Sequence, residues 1–188
     1  VGSAAMLAAC RAGEVGVEPG SSAGDPLVLI WALRLASVDP DYAPYAPGFG
    51  LALAGLARAD GGFGFADNDN DLALTAEAAR ALRVSGPYTS AQAAAAAAWV
   101  VARMLSTNPA DLSTSELALG LLASADQLAP ASVASLADAL ALRQQPDGGF
   151  EGDIRTTALC ISALRLAAPD LRLQVATLLD PNAVTGSP

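Results

Sequence analysis

The chain has 188 residues, 53% of them hydrophobic and only 5% aromatic, with a net charge of -9, no histidine and ten arginines as its only basic side chains. That length suits one domain with a real core, and the abundance of Ala and Leu favours closely packed helices over strands. The negative surface excludes nucleic acid as a partner, and the longest apolar run, Ala93 to Ala102, is too short for membrane insertion.

Helical segments alternate with loops. The first pair is predicted at Ser3 to Ala12 and Pro26 to Val38, with Asp25 and Pro26 supplying the N-cap and first helical position. The second runs Gly48 to Ala59 and Leu72 to Val84, opening on Asp71 and stopping at Ser85-Gly86-Pro87. The third is Ser90 to Ser106 and Leu112 to Gln127; the fourth is Ala131 to Gln145 and Ile154 to Ala168. A short helix from Leu171 to Leu179 follows, so the domain spans 1–180 and residues 181–188 form a tail.

The second helices align without gaps: Val28 to Leu35, Thr75 to Leu82, Ser115 to Leu122 and Thr157 to Leu164. Their final leucines are 47, 40 and 42 residues apart. That period fits two helices and two loops, each pair burying its apolar face on its neighbours. Asp71, Asp111 and Asp153 precede Thr75, Ser115 and Thr157 by four residues, which predicts one reused cap. The second helices are apolar nearly all round, so they are expected to form an inner layer and the first helices an outer one, with Trp31 and Trp99 in the core.

Asp60-Gly61-Gly62-Phe63 recurs as Asp147-Gly148-Gly149-Phe150. Two glycines let the chain leave a helix through positive φ, the Asp closes the turn and the Phe drops between helices. The run Gln144 to Phe150, followed by Asp153 and Thr156-Thr157-Ala158-Leu159, is similar to the repeat of the α/α-toroid superfamily: squalene and terpene cyclases, prenyltransferase β subunits, thioester domains and cobalamin carriers. The resemblance implies an all-α toroid, or part of one, of about four helical hairpins. It also implies that Gln144 and Phe150 brace adjacent repeats, with Ala57 departing from the Gln position in the other copy. The loops leading to the inner helices would then share one end, gathering Asp25, Asp67, Asp69, Asp71, Asp111, Glu151 and Asp153 into an acidic rim.

The enzymatic branches are testable by residue. Without histidine there is neither the zinc set of the prenyltransferases nor a Ser-His-Asp triad. The Asp-x-Asp-Asp acid of the cyclases is broken at Asn70 within Asp67-Asn68-Asp69-Asn70-Asp71. That loop still offers hard oxygen donors, so Asp67, Asp69 and Asp71 are candidate ligands for calcium or magnesium; the other reading is an exposed turn ending in a helix cap. Tyr42 and Tyr45, on a Pro-stiffened loop, are candidate ligand contacts together with Asp111, Glu151 and Asp153, unless the loop folds back on its own ring. Cys10 and Cys160 are either free buried thiols or a disulfide contributing roughly 5 kcal/mol, which would favour an extracytoplasmic over a cytoplasmic home. The leading expectation is a non-catalytic toroid module that binds a small-molecule or protein ligand, by analogy with the cobalamin carriers. The alternative is an isoprenoid-processing enzyme using Asp67 to Asp71.

Overall fold

The computed structural model describes residues 25–65 and 69–167, and among these every regular element is a helix. Seven α-helices follow in order: α1 (Pro26–Val38), α2 (Ala46–Gly55), α3 (Leu72–Val84), α4 (Ser90–Ser106), α5 (Thr114–Ser124), α6 (Pro130–Ala141) and α7 (Ile154–Ala167). Single 3-10 turns at Ala43–Tyr45, Pro87–Thr89 and Pro109–Asp111 lead into α2, α4 and the approach to α5. The helices expected at 3–12 and 171–179 lie outside the described residues.

The chain divides into two compact units whose boundary falls inside α4, between Trp99 and Val100. In the first unit α1, α2 and α3 pack pairwise on one another; in the second, α5, α6 and α7 do the same. Both therefore use one plan: a helix, a more exposed helix, a glycine turn, and a third helix returning onto the first.

Burial sorts the helices. Nine of the thirteen residues of α3 and eight of the eleven of α5 are buried, so these two are covered on nearly every side. Ala76, Ala78 and Ala79 in α3, and Ala118 and Gly120 in α5, are small enough for neighbours to approach. By contrast α2 and α6 bury one stripe each: Phe49, Gly50 and Leu53, and Val133, Leu136, Ala137 and Leu140. The inner and outer roles expected from apolarity hold for α2, α3, α5 and α6. They fail for α7, which buries only Thr156, Cys160, Ala163 and Leu164 and leaves Ile154 and Leu166 exposed. Its packing partners α5 and α6 cover one face.

Helix starts follow local chemistry. Asp25, Asp71 and Asp153 accept the backbone N–H of Leu27, Leu74 and Thr156 at 2.9, 2.6 and 2.6 Å. Asp111 does not repeat this. Helix α5 begins two residues later than expected, because Ser113 accepts the Glu116 N–H while the Glu116 carboxylate accepts the Ser113 N–H at 2.7 Å. This capping box satisfies two helix-end donors at once, and a single Asp cannot match it.

The tryptophans are not core residues. The core stripe of α1 is Leu29, Ile30, Leu33 and Ala36, which turns Trp31 to the surface with 48% exposure and the Arg34 guanidinium 5.0 Å above its ring. Trp99 is half-buried and its indole N–H donates to Asp60 at 3.2 Å.

Candidate functional site

Both Asp-Gly-Gly-Phe runs fold into the same hydrogen-bonded device. At the end of α2 the helix tightens, and the Gly61 N–H closes a turn on the Arg58 carbonyl at 2.9 Å. Gly61 itself adopts φ 87°, and the Arg58 N–H then pairs with the Gly62 carbonyl at 3.0 Å. After α6 the equivalent bonds join Gly148 to Gln145 and Gln145 to Gly149, each 2.9 Å, with Gly148 at φ 84°. This is a three-residue hairpin loop with glycine in the left-handed position. The Asp side chains, Asp60 and Asp147, accept the Gly62 and Gly149 N–H groups at 3.0 and 2.9 Å.

The Phe that follows is fully buried in both copies, and a threonine one helical turn into the next helix fastens its backbone. Thr75 Oγ1 accepts the Phe63 N–H and Thr157 Oγ1 accepts the Phe150 N–H, both at 2.9 Å. The Asp caps close the circuit: the Asp71 N–H donates to the Phe63 carbonyl at 2.8 Å and the Asp153 N–H to that of Phe150 at 3.2 Å. Gln144 donates its side-chain amide to the Gly148 carbonyl at 2.9 Å, so it braces the turn of its own repeat.

The copies differ in length. Phe63 and Thr75 are twelve residues apart, Phe150 and Thr157 seven. The extra residues are those of the acidic loop. Its far end is tied back by Asn70, whose amide donates to Asp60 Oδ2 at 2.7 Å and lies against Gly62, where any side chain would collide with it. Asp60 thus gathers the Gly62 backbone, the Asn70 amide and the Trp99 indole. The Gly62 N–H is the main force holding its carboxyl below the usual value of 3.8, against a smaller desolvation effect.

Of the expected ion ligands, Asp71 spends a carboxylate oxygen on the α3 cap, Asp69 is exposed, and Asp67 lies outside the described residues. Among the described residues no group of three or more Asp, Glu or Cys side chains is placed to share a metal ion. The tyrosine loop folds back on itself: Tyr42 is buried and packs on Tyr45, which packs on Phe49, each pair with ring centres 6.5 Å apart. Tyr45 remains 41% exposed.

In the second unit Asp111 is exposed at the end of its 3-10 turn, and Glu151 is exposed with φ 54°. Asp153 is held below the ordinary carboxylate value chiefly by hydrogen bonding with Thr156, side chain first and backbone second. Cys160 is a buried free thiol, pushed up to about 12 by desolvation and then by the charge of Glu151; Cys10, its expected partner, lies outside the described residues. A shallow groove of about 310 Å³ runs beside Met104, Leu105, Ala131 and Leu136, with Ser132 and Ser135 on its edge.

One cluster went unforeseen. Glu77, almost wholly buried in α3, receives Arg34 of α1 and Arg80 of its own helix on the same oxygen, Oε2. The signal available was a Glu and an Arg three apart in a helix made mostly of Ala and Leu. Arg34 lies 43 residues away from Glu77, beyond any local pattern.

Comparison with protein-family models, with curated proteins and with solved structures found no match to this chain.

Proposed function

We propose that the chain is a non-catalytic module of α/α-toroid-type helical repeats that binds a small-molecule or protein ligand. One observation carries this reading: five of the acids that the sequence singles out are engaged with backbone. Asp25, Asp71 and Asp153 cap helices, and Asp60 and Asp147 close turns. A general acid needs a proton free to give and a pKa near the working pH. Asp60 and Asp153 are shifted the other way, deeper into the ionised range. Such carboxylates maintain a frame, and a frame that repeats offers recognition surfaces on its loops.

The rival reading, an isoprenoid-processing enzyme, places its chemistry on the Asp67 to Asp71 cluster. Incubation with a prenyl diphosphate and with a squalene-like polyene, with and without magnesium, separates the two. A binding module leaves both substrates intact. Turnover that disappears in Asp69→Ala overturns the proposal.

A further inference from the structure

We infer that Arg34 and Arg80, anchored by Glu77 and flanked by Trp31, form a binding site for an oxyanion carried by an organic ligand with an apolar body, a carboxylate or a phosphate ester. The inference deepens the binding-module reading and rests on it. Its geometry is that of two facing helices: Trp31 and Arg34 are one turn apart on α1, and Glu77 and Arg80 one turn apart on α3.

Three observations converge. Two guanidiniums share a single carboxylate oxygen, so the cluster carries one surplus positive charge in a chain whose net charge is -9. Each guanidinium gives one nitrogen to Glu77, and among the described residues the other donors of both forks remain available. The side chains of Arg34 and Arg80 are 31% and 34% exposed, while that of Glu77 is 8% exposed. The acid therefore lies inside the pair, while both arginine side chains remain partly exposed. The Trp31 ring lies against the Arg34 guanidinium and presents its own exposed face beside it. Guanidiniums oriented in advance lose little freedom on taking up an oxyanion, and their planar forks suit its bidentate recognition.

The second unit supplies the control for a purely architectural role. With the helices aligned as in the sequence, Trp31 and Arg34 correspond to Ala118 and Leu121, and Glu77 and Arg80 to Leu159 and Ser162. The same three-helix plan is completed there with no charge at these positions. A buried carboxylate between arginines is not a cheap way to join two helices, since apolar replacements commonly do as well or better. Burial also lowers the pKa of Arg80, an effect that Glu77 offsets and Arg34 adds to, and a bound anion would relieve it.

The test is calorimetric titration at constant ionic strength with inorganic phosphate, phenyl phosphate and benzoate, chloride serving as reference. Saturable binding of phenyl phosphate or benzoate is expected, with phenyl phosphate tighter than inorganic phosphate because of Trp31; which aromatic anion binds better identifies the headgroup. Arg80→Lys and Arg34→Lys keep the charge and a partner for Glu77 but lose the fork, and each should weaken binding by about tenfold or more. Arg103→Gln, which removes a charge elsewhere, should bind as the parent does. The inference is overturned if no anion binds above chloride, or if the lysine variants and Arg103→Gln behave alike. Failure here with no isoprenoid turnover removes only this site, whereas isoprenoid turnover removes the binding-module reading itself.

Discussion

Replacing Thr75 with valine isolates a single hydrogen-bonding oxygen in the core of the first unit. Thr75 and Phe63 are both wholly buried, and the hydroxyl is the acceptor for the Phe63 N–H at 2.9 Å. Valine has the same shape, so no cavity opens. The two carbonyls that the hydroxyl approaches keep other donors: Phe63 O retains the Asp71 N–H at 2.8 Å, and Asp71 O retains the Thr75 N–H at 2.9 Å. The damage is one buried N–H left without an acceptor, a cost of about 1–3 kcal/mol. With a urea dependence of roughly 1–3 kcal/mol per molar, the midpoint should fall by about 1 M. Both tryptophans belong to the first unit, so fluorescence reports its unfolding. Thr157→Val makes the same change at a less buried threonine; its cost should be nearer 0.5–1.5 kcal/mol, read by far-ultraviolet circular dichroism. A loss below about 0.5 kcal/mol in Thr75→Val, or an equal loss in both variants, would refute this account of the turn.

Other consequences are as direct. Gly61→Ala should destabilise far more than Gly148→Ala: both backbones are left-handed, but a Cβ at Gly61 would sit 2.8 Å from the Ala95 carbonyl oxygen and one at Gly148 meets nothing within 4 Å. The shared strain is about 1–2 kcal/mol, so thermal melting of the pair measures the steric excess. Asp60 has a folded pKa below 3.8, so its stabilisation is complete above that value and is lost as pH falls through the folded one. The difference in melting temperature between the parent and Asp60→Asn should therefore shrink below about pH 4. For Cys160 the sign is opposite. Its folded value near 12 lies above the ordinary 9.0, so stability is present below pH 9.0 and declines as the unfolded thiol ionises above it. Cys160→Ala should flatten that alkaline decline, and the native thiol should react with a disulfide reagent only at the rate of unfolding.

Local chemistry was readable in advance, and long-range pairing was not. The Asp25, Asp71 and Asp153 caps and the two glycine turns each depend on residues within one or two turns of chain, and the structure bears them out. The capping box of α5 was equally local, spelled Ser113-Thr114-Ser115-Glu116. The repeat register points instead to Asp111, and the reciprocal pair of bonds at Ser113 and Glu116 overrides it. Tyr42, Tyr45 and Phe49 stand at helical spacing, which suits rings packing on one another better than rings held out to a ligand. Trp31 and Glu77 reversed the usual expectation, the indole outside and the carboxylate inside. Which side of α1 faces α3 is decided by packing between segments, and Arg34 meets Glu77 only once both helices are in place.

The backbone bond that joins Phe63 to Asp71 is made again between Phe150 and Asp153, although one stretch holds seven intervening residues and the other two. The frame thus closes below the loop in both copies, and the longer insert adds a tie of its own, Asn70 on Asp60. One clasp thus spans inserts of different length and charge, which gives the architecture a place where specificity can vary while the closing bond is kept.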